Sequence, residues 1–237
     1  MKSLMNLLTV LLAVIGFEAA AATPVKPTVA VLYFDVHESL KAEQVFQKGL
    51  AEMLITDLVQ TDLFSVVERS RLEDVLTELK LQKSAAVDQA TAQKAGKLLG
   101  AKYLILGSII PLGKKLSFET RVLSVETAKV LKSTRAQASM DDVFEAEQQL
   151  AQNLQRLLLE AETTAQAAPT PASPAPAKPP AAKKKTVLSF FTAAKFAGAL
   201  DAKDNHDLVK AKELLTQVTA EAPTFELAKL DLANLTK

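Results

Sequence analysis

Side chains that could do catalytic chemistry are few in this sequence, and they lie far apart. The two histidines, His37 and His206, stand near opposite ends of the 237 residues, and neither belongs to a metal-binding pattern such as HExxH. Cysteine is absent, which removes thiol chemistry and leaves almost no candidates for a tetrahedral zinc site. We therefore expect no enzymatic activity, no metal and no cofactor.

Glycine patterns that cradle phosphate groups are missing as well. None of the seven glycines belongs to GxxxxGKS/T or to GxGxxG. Gly96 and Gly100 form a GxxxG, a spacing that outside a membrane favours close helix packing and a helix stop over a ligand site. The net charge of +1, with 23% charged residues, gives no reason to expect nucleic acid as a partner.

The polar pair Glu68-Arg69 falls where a short apolar strand turns into a helix. We expect this pair to be a buried or half-buried anchor of the turn, and a binding role is the alternative. Ser70 and Glu73 have the spacing of a capping box, in which each side chain hydrogen-bonds the backbone N–H of the other residue. A helix is therefore predicted to follow Ser70.

Two glycines define the next segment. A helix is predicted from about Asp88 to Gly100, because glycine enters the left-handed conformation that follows many helices. The apolar run at residues 102–108 predicts a strand covered on both faces. Gly107 lies within that strand and marks a place where another backbone or a bulky side chain comes close.

Hydrophobic periodicity predicts the elements that position these residues. Strands are expected at residues 28–36, 63–67, 102–108, 115–125 and 129–138, and helices at about 42–60, 70–81, 88–100 and 139–161. Ser139, with Asp142 three residues later, is expected to cap the last helix. The order β-α-β-α-α-β-β-β-α predicts an α+β fold with helices against a mixed sheet. Glu119 and Arg121 share one face of their strand, where solvent, a neighbouring strand or a partner protein would meet them.

These elements, in this order, resemble a known domain family. The strand VAVLYFD, the helix GLAEMLITDL, the segment FSVVERSRLEDVLTELKL and the stretch AGKLLGAKYLILGSI are similar to the domain of curli secretion-channel subunits. Related domains occur in flagellar-assembly and cell-wall-synthase activator lipoproteins and in the amino-terminal part of the Tol-system periplasmic protein. The resemblance covers roughly residues 28–160 and implies a scaffold rather than a catalytic fold.

The first 22 residues have the composition of a secretory signal. Lys2 supplies a positive start, an apolar region follows from Leu4 to Phe17, and a run of alanines ends at Ala22. We expect cleavage between Ala22 and Thr23, which would deliver the chain to the periplasm, with outer-membrane association as an option. An uncleaved amino-terminal anchor is the alternative, and no membrane span is expected in the mature chain.

Composition changes after the main domain, which is predicted to span residues 28–162. Residues 163–186 contain six prolines and end near three lysines, which predicts a stiff, solvated linker. Residues 187–237 predict three short helices that resemble a tetratricopeptide repeat. Because about fifty residues hardly hold a core alone, this module is expected to dock on the main domain, a partner or another copy. The residues expected to bind a partner are Leu208, Ala211, Leu215, Pro223 and Phe225.

Together these features predict a non-enzymatic, exported scaffold or accessory protein of an envelope assembly or secretion machine, which contacts other envelope proteins and can form a homo-oligomer. A curli-type outer-membrane secretion component and a regulator of cell-wall synthesis are the alternatives. Channel subunits of the curli type also carry a lipid-modified cysteine and membrane-inserted hairpins. This sequence has no cysteine, and its long hairpin at residues 115–138 carries charges along both strands, which disfavours the channel alternative.

Overall fold

The computed structural model describes residues 25–43, 45–79, 88–166 and 186–236. The predicted signal, its cleavage site at Ala22 and Thr23, and most of the predicted linker lie outside those residues.

Six strands within the described ranges form one mixed sheet. They are β1 (Thr28–Val31), β2 (Asp35–Val36), β3 (Ser65–Val66), β4 (Tyr103–Leu112), β5 (Lys115–Ser124) and β6 (Val130–Ser139). The strand order is β3-β1-β4-β5-β6, with the short β2 also paired to β4. Strand β1 is parallel to both neighbours, whereas β4, β5 and β6 form an antiparallel meander. The predicted α+β fold with a mixed sheet is confirmed.

Seven α-helices accompany the sheet within the described residues. They are α1 (Phe46–Val59), α2 (Arg69–Glu78), α3 (Gln89–Leu98), α4 (Phe144–Gln166), α5 (Phe190–Asp204), α6 (Leu208–Glu221) and α7 (Glu226–Asn234), and a 3-10 turn spans Glu38–Glu43. Helix α3 begins after Asp88, whose carboxylate accepts hydrogen bonds from the N–H groups of Ala90 and Thr91. Gly100 follows this helix with φ +64°, the conformation expected of it.

Helices cover the two faces of the sheet differently, and β1 shows how. Side chains alternate between faces along a strand. Val29 and Val31 belong to a large core that also contains residues of α1, α4 and α5, whereas Ala30 and Leu32 belong to a smaller core with residues of α2 and α3. Strand β1 and the residue that follows it are therefore apolar on both sides of the sheet, as their sequence predicts.

The predicted capping box at the start of α2 is wrong. The helix begins at Arg69, the N-cap residue is Glu68 without a side-chain hydrogen bond, and Ser70 lies inside the first turn. Glu73 is engaged elsewhere, because its carboxylate accepts a hydrogen bond of 2.6 Å from the Tyr33 hydroxyl and lies 3.0 Å from the Lys48 ammonium. Tertiary contacts of Glu73 and Arg69 thus set the start of this helix.

The predicted cap of the last helix of the main domain is also wrong. Ser139 is the final residue of β6, and α4 begins only at Phe144. The chain that returns from the linker occupies this place: the Val143 N–H donates to the Leu188 carbonyl at 2.8 Å, and the Phe190 N–H donates to the Met140 carbonyl at 2.7 Å. These backbone bonds fix the entry into α4 and the entry into α5 together.

The carboxyl-terminal helices pack directly on the sheet-bearing part of the chain. The rings of Phe46 on α1 and Phe190 on α5 have centroids 4.7 Å apart. A Cβ atom placed on Gly49 of α1 would lie 3.0 Å from the Cβ of Ala197, so α1 and α5 approach each other closely. The large apolar core runs across this contact without interruption. The division into domains at residues 28–162 and 187–237 stays a prediction.

Candidate functional site

Two buried cations meet where α1, α2 and α5 join. Lys48 and Arg69 have side chains only 2% and 9% exposed, which requires carboxylate partners because burying an unpaired charge is very costly. We call the set formed by Lys48, Arg69 and their carboxylates the ionic cluster. Its carboxylates are Glu52, Glu73, Asp201 and Asp204.

Asp204 on α5 is the hub of the ionic cluster. Its two carboxylate oxygens accept hydrogen bonds of 2.7 and 2.9 Å from the Arg69 guanidinium, and one of them also accepts a bond of 2.8 Å from the Lys48 ammonium. Burial alone would raise the pKa of Asp204, but the hydrogen bonds from Arg69 and Lys48 lower it below its ordinary value. Glu52 accepts a further hydrogen bond from Arg69, and Asp201 accepts one from Lys48.

The ionic cluster explains what the Glu68-Arg69 pair does. Arg69 is the buried anchor that the sequence predicts, whereas Glu68 is exposed. Lys48, Asp201 and Asp204 are not singled out by sequence reasoning, because Lys48 lies more than 150 positions from the two aspartates along the chain. The cluster joins two parts of one chain, and it has no reactive group beyond these ion pairs and the Tyr33 hydroxyl.

The five residues predicted to bind a partner separate into two groups. Ala211, Leu215 and Phe225 are buried in the core of the chain itself, so they are unavailable to a partner and that prediction is wrong for them. Their spacing reflects packing among α5, α6 and α7. Leu208, which is 55% exposed, and Pro223 remain at the surface, and partner binding there stays a prediction.

An open sheet face provides a different surface. On β4, β5 and β6, the residues that point away from α1 and α4 include Ser108, Glu119, Arg121, Ser133 and Arg135, which we call the polar face. Ser108, Glu119 and Arg135 form one row across the three strands, and Arg121 lies opposite Ser133 in the next. An open groove of about 620 Å³ lies over these residues.

The charges of the polar face are held in place by the sheet. The Arg135 guanidinium lies 2.5 Å from the Glu119 carboxylate, and the Ser117 hydroxyl donates a hydrogen bond of 2.9 Å to it. Partial burial would raise the pKa of Glu119, but the hydrogen bonds from Arg135 and Ser117 and the charge of Arg121 lower it. Arg121 is exposed beside this pair, so the face presents a net positive set of charges to the solvent.

Glu147 on α4 is the most unusual titratable group in the described part of the chain. Its side chain is buried, and neither carboxylate oxygen has a hydrogen-bond partner. Burial, with a smaller contribution from the charge of Asp57 on α1, raises the pKa of Glu147 well above its ordinary value. A carboxyl in this position is stable only when it is protonated.

Replacing Glu147 by glutamine is therefore expected to stabilise the protein at neutral pH. The raised pKa of Glu147 means that its contribution to stability is fully present below about pH 4 and is lost as the pH rises through the folded-state pKa. Urea unfolding midpoints should be higher for Glu147→Gln than for wild type at pH 7, and the difference should shrink at pH 4. Equal midpoints at both pH values would contradict this assignment.

Neither histidine forms part of a site. His37 and His206 are both exposed. The ring Nδ1 of His37 lies 3.0 Å from the Ser39 hydroxyl and accepts a hydrogen bond of 3.2 Å from the Ser39 N–H. In the described ranges, His, Asp and Glu side chains form no group of three that could hold a metal ion. Among the helices of the described residues, none has the length and apolar character to cross a membrane.

Comparisons with known proteins give one match at the level of sequence. Residues 11–120 match the family model described as curli production assembly/transport component CsgG, which is somewhat less than half of the chain. No curated protein matches the sequence.

Several solved structures have a similar arrangement of elements. The LpoB carboxyl-terminal domain from Salmonella enterica is 17% identical with a TM-score of 0.39, over 51% of this chain and 87% of that one. TolB from Acinetobacter baumannii is 12% identical with a TM-score of 0.40, over 57% of this chain and 29% of that one. PelC from Paraburkholderia phytofirmans is 14% identical with a TM-score of 0.31, over 48% of this chain and 71% of that one.

Structures with such low sequence identity and TM-scores do not indicate the function of this chain. The family match does not depend on them, and it falls on the strands, helices and glycines from which the resemblance was inferred. The similarity of α5–α7 to a tetratricopeptide repeat stays a prediction. Over residues 11–120, the predicted resemblance to the domain family of the curli secretion-channel subunit is confirmed.

Proposed function

We propose that this protein is an exported periplasmic accessory or scaffold protein of a bacterial envelope assembly or secretion machine, which acts by protein–protein contacts without catalysis. The match to a family described as an assembly and transport component supports the envelope setting. The signal-like composition of residues 1–22 supports export.

The polar face is the single observation that carries the contact-based role. It places Arg121, Glu119 and Arg135 on an open sheet surface, whereas the charges of the ionic cluster pair with one another inside the chain. Arginine is enriched at the centres of protein interfaces because its planar guanidinium binds carboxylates through two hydrogen bonds. The ion pair between Glu119 and Arg135 restrains both side chains, so they lose less conformational entropy when a partner binds.

A secretion component of the curli type is the second candidate, and the description of the matched family favours it. The two candidates differ in where the protein resides. An accessory protein is released by osmotic shock in a small form, whereas a channel subunit stays in the outer membrane as a large, detergent-resistant oligomer. Regulation of cell-wall synthesis is a special case of the first candidate with a different partner, and homo-oligomer formation stays a prediction.

Site-specific photo-crosslinking from the polar face in living cells tests the proposal. A photo-reactive residue at Ser133 should form adducts with another envelope protein, because Ser133 is exposed and lines the groove.

A further inference from the structure

Strand β6 is the outermost strand of the sheet and is unusually long for an edge. It spans ten residues, and β5 is its only strand partner among the described residues. Every second residue of such a strand directs its backbone N–H and C=O away from the sheet, where another strand can pair with them. Proteins normally shorten, bend, charge or cover edges of this length, and β6 has one irregularity, a register shift between its pairs with Val122 and Leu123.

The edge also has a consistent charge. From Lys129 to Ser139, the chain contains Lys129, Lys132 and Arg135 and no carboxylate. Lys132 lies 3.3 Å from Glu160 of α4, and Arg135 is bound to Glu119, while Arg121 adds a fourth cation on the neighbouring strand. Pairing of two β6 strands from two copies would bring cations together, and like charges on adjacent strands are destabilising.

We propose that β6 accepts an extended, acidic segment of a partner protein as an additional strand of the sheet. This inference rests on the proposed function and names the chemistry of the partner. Ser133 and Arg135 project to the polar face, and Lys132 and Thr134 project to the opposite one. Carboxylates at every second position of the added strand would therefore lie beside Arg135 and, across the small Ser133, face Arg121 of β5. Backbone hydrogen bonds would supply affinity that does not depend on sequence.

Two synthetic peptides test this pairing on the full chain. One alternates threonine and glutamate over ten residues, and the other alternates threonine and lysine, both with blocked ends and a fluorescent label. Fluorescence anisotropy should show at least tenfold tighter binding of the acidic peptide, with weaker binding as salt is raised. Hydrogen exchange should slow at the backbone amides of residues 130–139 when the acidic peptide binds. Equal binding of both peptides, or unchanged exchange in β6, would overturn the proposal.

Variants locate the peptide on the edge. The double variant Lys132→Gln with Arg135→Gln should weaken binding of the acidic peptide at least tenfold. The matched control, Lys212→Gln on the exposed surface of α6, should leave it unchanged. Loss of the Arg135–Glu119 pair could disturb the sheet, so a second double variant, Lys129→Gln with Arg121→Gln, leaves this pair intact. Its affinity for the acidic peptide should be several-fold lower than that of wild type. Equal binding by both double variants and wild type would overturn the proposal.

Other occupants of the edge give different results. In sedimentation, pairing of two copies would double the molecular mass, and substitution of β6 residues would abolish the doubling. This result would identify a second copy of the chain at the edge and overturn the proposal of an acidic partner. Protein adducts from Ser133 in cells, without preference for the acidic peptide, would overturn this inference and leave the proposed function intact. Absence of adducts from Ser133 would instead contradict the proposed function.

Discussion

Replacing Gly107 by alanine is expected to reduce the free energy of unfolding by about 3 kcal/mol or more. A Cβ atom at this position would lie 2.4 Å from the Cε2 of Phe34 and 2.6 Å from the backbone carbonyl oxygen of Glu119. Phe34 is fully buried and the Glu119 oxygen belongs to the neighbouring strand, so neither can move aside without disturbing the core. Urea unfolding followed by circular dichroism measures the loss as a lower midpoint.

Gly198 is the matched control for this prediction. It lies within α5, and a Cβ there would only touch a Leu214 methyl group at 3.5 Å, which is an ordinary contact. Gly198→Ala should therefore stabilise the protein by up to about 1 kcal/mol through its higher helix propensity. Similar midpoints for Gly107→Ala and wild type would mean that Phe34 does not occupy the space above β4.

Replacing Asp204 by alanine is expected to destabilise the protein by about 3 kcal/mol, the lower end of the range for breaking a buried ion pair. The lower end applies because the Asp204 side chain is still 23% exposed. The substitution removes three hydrogen bonds and leaves Arg69 and Lys48 buried with fewer carboxylates. Urea unfolding at pH 7 measures the effect, and protease cleavage should show α5 opening first.

The pH dependence of the stability lost in Asp204→Ala tests whether the Asp204 carboxylate is its cause. The pKa of Asp204 is lowered in the folded protein, so its stabilising effect is complete above about pH 4 and is lost as the pH falls through the folded-state value. The difference between Asp204→Ala and wild type should accordingly shrink in acid. Asp74→Asn, at an exposed carboxylate of α2, should change stability by less than about 0.5 kcal/mol. An Asp204→Ala loss as small as this control would show that α5 docks without the ionic cluster.

The parts of the fold that depend on local chemistry could be predicted from the sequence. Gly100 ends a helix because glycine enters the left-handed conformation, and Gly107 lies under a bulky ring because only glycine leaves room for it. The placement of Glu119 and Arg121 on the same face of β5 likewise follows from the geometry of a strand. These features need no knowledge of distant residues.

Features that depend on distant contacts could not be predicted. Lys48 lies among the apolar residues of α1 like any solvated lysine, and only the return of α5 buries it. The same return displaced the start of α4 from its predicted cap at Ser139. The burial of Ala211 and Leu215, which are predicted to bind a partner, does not follow from their spacing, because a helical stripe has the same periodicity whether it meets a partner or the core.

Photo-crosslinking from the polar face tests the central claim of a contact-based envelope role most directly. A photo-reactive residue at Ser133 should give discrete adducts with another protein in cells, and substitution of Arg121 and Arg135 by glutamine should weaken them. Gln152, which is exposed on α4, is the matched control position and should give no such adducts. Absence of adducts from Ser133, or the same adducts from Gln152, would contradict the account.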